Sequence, residues 1–169
     1  EDATGERTDI LVMVQGDEPM DTGEMITEAL GPMIEDEAVS VVNLMGCIDS
    51  VEDFEDPNIV KVVVGPDNNA IYFSREPIPS RKKDLDEVPM RKQICVIPFR
   101  RDYLLEFNNT PETDLERIES VDMLRVIESG GAVRMVMTEY PSVGVDTPRD
   151  LEIVEKLMAG DPLMRDYLS

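Results

Sequence analysis

The spacing of apolar residues changes period several times along the chain, and each change marks an element. Ile10 to Val14 is a short unbroken apolar run, the pattern of a buried strand. It stops at Gln15-Gly16-Asp17-Glu18-Pro19, a polar turn that cannot continue a strand. Asp21 and Glu24 stand at capping-box spacing ahead of Met25, Ile26, Ala29, Leu30, Met33 and Ile34, which recur at helical intervals. Pro32 is expected to kink that helix. Val39 to Leu44 reads as a second strand and Ile59 to Val64, after the turn Asp56-Pro57-Asn58, as a third. Asp67-Asn68-Asn69 then returns the chain as a hairpin through Ala70 to Phe73.

Ser80 to Lys92 is polar and charge-rich, the pattern of a mobile loop. Ile94 to Phe99 is a further apolar strand. Thr113 and Glu116 box the start of a helix expected to run to Gly130, and Ala132 to Met137 follows as a strand. Thr147 as cap and Pro148 at the first helical position open the last main helix. Strands alternate with helices, which favours an α/β domain, and 169 residues that are 41% apolar can bury one compact core.

Charge narrows the partners. The formal net charge is −21, from 37 acidic against 16 basic residues. Such a surface repels nucleic acid and anionic lipid, so neither is expected as a partner. It repels nucleotides as well, so a triphosphate site needs a cation or local arginines. A salt-adapted host would leave the same excess. No apolar run approaches the roughly 18 residues that span a bilayer, and the opening residues do not read as a signal peptide. Cys47 and Cys95, the only cysteines, are expected to be reduced, buried thiols of a cytoplasmic protein. Histidine is absent, which removes serine-histidine triads and most zinc sites.

Several residues could carry chemistry. Asp17 and Glu18 lie in the turn after a buried strand, where open α/β sheets gather ligands, and a carboxylate there suits a hard cation. A solvated acidic turn is the plainer reading. Asp146 stands just before the cap of the last helix, where the dipole alone would favour an acid. In the helix after Thr113, Glu119, Asp122 and Arg125 fall in the sector of Leu115, Ile118 and Val126. Charges on that stripe must pair with one another or face a polar cavity. Arg75 follows a strand and offers a planar fork suited to carboxylate or phosphate, unless it is a surface arginine. Arg81, Lys82 and Lys83 form the only dense basic cluster, fit either to draw in an anion or to keep a loop soluble.

Five segments together resemble the cytidylyltransferases that make CMP-KDO, the CMP ester of 3-deoxy-manno-octulosonate. They are Gln15-Gly16-Asp17-Glu18-Pro19, Val60-Lys61-Val62-Val63, Tyr72-Phe73-Ser74-Arg75 with Ile78-Pro79, Asp122-Met123-Leu124-Arg125, and Val145-Asp146-Thr147-Pro148 with Asp150-Leu151. The resemblance implies a three-layer α/β/α nucleotide-diphospho-sugar transferase fold with a mixed sheet. It implies transfer of CMP from CTP to an acidic ketose, with pyrophosphate released. By that analogy Asp17 and Asp146 hold magnesium and are the catalytic pair. Gln15, Arg75, Arg81, Gln93, Glu119 and Asp122 would serve the sugar acid. Residues from about 68 to 99 would form a smaller lobe that makes a homodimer contact.

Two departures bear on the substrate. The family usually has histidine and tyrosine where this chain reads Gln93-Ile94-Cys95-Val96-Ile97, and glutamate-glutamine where it reads Asp122-Met123. A modified octulosonic or sialic-acid-like sugar therefore stays open beside KDO, as does a non-catalytic remnant that only binds or dimerises. The family's Gly- and Arg-containing phosphate loop has no counterpart in this sequence. The chain accordingly reads as the C-terminal two-thirds of such a domain, with weak or no turnover expected of these 169 residues alone.

Overall fold

The computed structural model describes residue 5 and residues 7–83 and 88–160. A five-stranded mixed sheet forms its centre. In chain order the elements are β1 (Ile10–Val14), α1 (Gly23–Glu35), β2 (Val42–Cys47), α2 (Val51–Glu55), β3 (Lys61–Val64), β4 (Ala70–Ser74), β5 (Arg91–Ile94), β6 (Val96–Arg100), α3 (Arg101–Asn109), α4 (Asp114–Glu119), α5 (Met123–Glu128), β7 (Arg134–Met137) and α6 (Pro148–Met158). The sheet order is β4-β3-β5-β2-β7, with β2 and β7 parallel and the other neighbours antiparallel. β1 and β6 pair separately as an antiparallel ribbon, from Ile10 opposite Arg100 to Val14 opposite Val96.

Alternation along β2 explains the layers. Val42 and Leu44 point to one face, where Met25, Ala29 and Met33 of α1 close the core with Ile94 and Val96. Val41 and Met45 point to the other, against Met123, Leu124 and Val126 of α5, together with Val62, Phe73, Phe99 and Met135. Burying each such side chain contributes roughly 1.5–3 kcal/mol. A strand covered on both faces is apolar on both, which made Val39 to Leu44 legible despite Ser40 and Asn43, although the strand itself runs from Val42 to Cys47.

Four expectations need correction. The cap of α1 is Thr22, whose hydroxyl accepts from the Met25 amide at 3.3 Å, in place of Asp21. The run Ile94 to Phe99 is two strands: β5 belongs to the large sheet, β6 to the ribbon, and Cys95 lies between them. The helix expected to run to Gly130 breaks at Ser120, which adopts the left-handed φ of 53° that few non-glycine residues take. Cys47, the last residue of β2, is exposed; both cysteines are free, as anticipated.

The stretch read as a loop from Ser80 to Lys92 ends in strand, since Arg91 and Lys92 begin β5. Its residues 84–87 lie outside the described residues. α2 and α3 were not anticipated. α2 carries a start signal in Ser50, whose hydroxyl accepts from the Asp53 amide at 3.0 Å, but its five residues are too short for an apolar period, and α3 has no side-chain cap. By contrast Thr147 caps α6 as expected, its hydroxyl accepting from the Asp150 amide at 3.3 Å.

Candidate functional site

Asp17 and Asp146 come from opposite ends of the sequence and lie on adjoining turns. Asp17 follows the carboxyl end of β1; Asp146 lies in the segment between β7 and α6. The Val145 amide donates to the Asp17 carbonyl at 2.8 Å, so the backbone bonds one turn directly to the other. Both aspartates are exposed, as is Gln15, whose carbonyl accepts from the Glu18 amide at 3.3 Å to close the first turn.

Under this surface lies a set of groups that sequence reading did not assemble. One Glu18 carboxylate oxygen accepts from the Cys95 amide at 3.1 Å and the other from the Ser142 hydroxyl. The Lys92 ammonium donates to the Ser142 carbonyl. Both carboxylate oxygens of Asp21 are buried with no hydrogen-bond donor. Its pKa is pushed up to about 6, first by burial and then by the charges of Glu18 and Asp17. Burial, then Glu18, raises the Cys95 thiol as well, and Asp122 and Asp17 add to the effect. Asp122 therefore faces the same region, and burial raises its own carboxyl above the usual range. Burial lowers Lys92, although Glu18 opposes the shift.

Gln93 is held in place from β2. Its carboxamide donates to Asn43 at 2.7 Å, and the fully buried Asn43 in turn donates to the carbonyls of Leu44 and Ile94 at 2.9 and 2.7 Å.

The other predicted residues are differently engaged. Arg75 gives its guanidinium to three main-chain carbonyls, Glu119 at 2.6 Å, Pro57 at 2.9 Å and Ser120 at 3.4 Å. The Glu119 carboxylate accepts from the Tyr72 hydroxyl at 3.2 Å and from the Ser74 hydroxyl and Arg75 amide at 2.8 Å each. Beneath them the buried Lys61 donates to the carbonyls of Asp56, Ile59 and Arg75, and burial lowers its pKa. Arg75 and Glu119 thus fasten β4 to the end of α4, with three of the five guanidinium N–H donors of Arg75 given to carbonyls. Arg125 forms an ion pair with Glu116 and lies over the Phe107 ring at 4.3 Å, which settles its place on the core-facing stripe. Arg81 is exposed beyond β4.

No cluster of three or more histidine, cysteine or acidic residues among the described residues has metal-holding geometry. Magnesium does not need one, since it commonly takes one or two carboxylates and completes its shell with phosphates and water. Asp17 and Asp146, exposed on bonded turns, with the orphaned carboxylate of Asp21 near enough to Asp17 to feel its charge, offer the donor chemistry such an ion takes.

A family model described as cytidylyltransferase matches residues 2–138. The chain is 42% identical over 160 residues to the 3-deoxy-manno-octulosonate cytidylyltransferase of Geobacter metallireducens, covering 88% of this chain and 63% of that protein. The enzyme of that name from Solibacter usitatus is 40% identical over 155 residues, covering 92% and 62%. Among solved structures, a CMP:2-keto-3-deoxy-manno-octonic acid synthetase complexed with CTP is similar with a TM-score of 0.82 and 35% identity, over 91% of this chain and 63% of that one. The inositol-1-phosphate CTP transferase of T. maritima shares the fold, with a TM-score of 0.56 at 19% identity, over 92% and 57%. The chain thus spans a little under two thirds of the length of the curated relatives it matches.

Proposed function

The chain belongs to the cytidylyltransferase family, and from that premise we propose that its protein transfers CMP from CTP to 3-deoxy-manno-octulosonate and releases pyrophosphate. The observation that supports this reading is the backbone bond from Val145 to Asp17, which joins the two turns that carry Asp17 and Asp146. The names of the relatives favour the octulosonate over a sialic-acid-like sugar.

Asp17 and Asp146 would hold magnesium, which when bound offsets phosphate charge and lowers the pKa of an attacking hydroxyl. The chain's own residues then have limited tasks. Gln93, oriented by Asn43, presents its carboxamide to the sugar acid. Asp122 accepts from a sugar hydroxyl, and Gln15 borders the pocket from the first turn. Arg81, with Lys82 and Lys83, supplies positive potential in an otherwise acidic protein. The anomeric hydroxyl attacks the α-phosphorus in line and pyrophosphate leaves, so the protein's main contribution is orientation. Arg75 and Glu119 support this site by fastening β4 to the end of α4.

The same reading carries a cytoplasmic homodimer. We place its contact on the hairpin of β3 and β4, where β4 edges the sheet and Ile71 is exposed.

Asp17→Asn and Asp146→Asn in the full natural chain test the assignment, with pyrophosphate release from CTP and the sugar acid followed against magnesium concentration. Each is expected to lower turnover by about 100-fold or more, the scale of losing preorganised charge stabilisation. Unchanged turnover in either variant would remove the metal pair from the mechanism.

A further inference from the structure

The region around Ser142 assigns a task that neither the motifs nor the metal pair accounts for. Ser142 is 6% exposed and sits four residues ahead of Asp146. Two elements hold it at once. Its hydroxyl donates to Glu18, next to Asp17, and its carbonyl accepts from Lys92 on β5. The second oxygen of Glu18 takes the amide of Cys95, which lies between β5 and β6. The bond from Val145 to the Asp17 carbonyl completes a closed circuit from Asp17 through Glu18 and Ser142 to Val145 and back.

Resting on the function proposed above, we infer that Glu18 and Ser142 are positioning residues that fix the spacing of the two aspartates before a cation arrives. Glu18 is assigned a positioning role because each of its oxygens is aimed at a protein donor, the Cys95 amide and the Ser142 hydroxyl. Its bonds are charge-assisted, and such bonds are roughly twice as strong as neutral ones. Lys92 adds a cation beside Glu18 and grips the same serine, which offsets the negative charge gathered there. Preset spacing matters for magnesium because the ion tolerates little departure from octahedral geometry.

The test compares Glu18→Ala, Glu18→Gln, Ser142→Ala and Asp17→Asn in the full natural chain. Hydrogen exchange of the Val145 amide is followed without metal, and Mn2+ binding by electron paramagnetic resonance with CTP present. Glu18→Ala and Ser142→Ala are expected to speed Val145 exchange about tenfold or more, the scale of losing a hydrogen bond to a charged group. Exchange at Val136 in β7 should stay at the parent rate, which separates a local opening from general unfolding. Mn2+ affinity should fall about tenfold in the same two variants, as expected when ligand spacing is lost.

Glu18→Gln should restore both readouts. Its carbonyl can accept from Cys95, and its amide can donate to the Ser142 oxygen. Parent-like exchange at Val145 in Glu18→Ala and Ser142→Ala would overturn the inference. So would a Glu18→Gln variant that loses Mn2+ as fully as Glu18→Ala, since that result makes Glu18 a ligand. Asp17→Asn is expected to abolish Mn2+ binding and leave Val145 exchange near the parent rate. If Asp17→Asn keeps full Mn2+ affinity, the proposed metal pair fails whatever the Glu18 variants do.

Discussion

Replacing Asp21 with asparagine should stabilise the protein at neutral pH and lose that advantage in acid. Both Asp21 oxygens are buried without a donor, and its pKa rises from 3.8 to about 6 through burial and the charges of Glu18 and Asp17. At about 1.4 kcal/mol per pKa unit, that difference sets a ceiling of roughly 3 kcal/mol. The residue as a whole is only part-buried, so solvent screening reduces the figure to about 1–2 kcal/mol. The sign follows from linkage. Below 3.8 the carboxyl is protonated whether the chain is folded or unfolded, and the group carries no penalty. Between 3.8 and about 6 the unfolded chain ionises while the folded state keeps its proton, so stability falls across that window and levels off above it. Asparagine cannot ionise. The melting temperature of Asp21→Asn minus that of the parent should therefore grow between pH 4 and pH 7.5, by about 3–6 °C for a chain of this size. Differential scanning fluorimetry across that range is sufficient. A difference that stays flat, or shrinks as pH rises, would refute the argument that Asp21 is held against its charge.

Three other outcomes are expected. Arg125→Ala leaves Glu116 as an unpaired charge whose side chain is only 9% exposed, and should cost about 3–5 kcal/mol in urea unfolding. Ser120→Gly relieves a left-handed φ at the end of α4 and should raise the urea midpoint by the equivalent of about 0.5–1 kcal/mol. A disulfide reagent at pH 8 should modify Cys47, which is exposed, and leave Cys95 largely unmodified in the folded protein, because burial and Glu18 suppress its thiolate. Mass analysis of the labelled peptides distinguishes the two.

What the sequence revealed was local. The strand Ile10–Val14, the turn holding Asp17 and the cap at Thr147 each rest on neighbouring residues, and the structure keeps them in place. What it concealed depends on partners far along the chain. The apolar run through Cys95 does not record that Ile94 and Val96 pair with different strands, because both are buried apolar residues. Arg75 has the side chain of an anion clamp, but whether its fork meets a ligand or three carbonyls is decided by Pro57, Glu119 and Ser120. Ser142 and Lys92 offered no spacing signal, since a serine in a connecting segment and a lysine in a charged stretch are ordinary. The phase argument for Glu119, Asp122 and Arg125 was right to expect partners. It assumed one straight helix, and so it grouped three residues that serve different neighbours.

The corner at Ser120 gives those neighbours a degree of independence. On a continuous helix Glu119 and Asp122 would share one stripe, and a change at either would disturb the other's surroundings. With the axis broken between them, Glu119 answers to Tyr72, Ser74 and Arg75, whereas Asp122 faces Cys95. Residue 122 can therefore vary while the anchor on β4 stays intact.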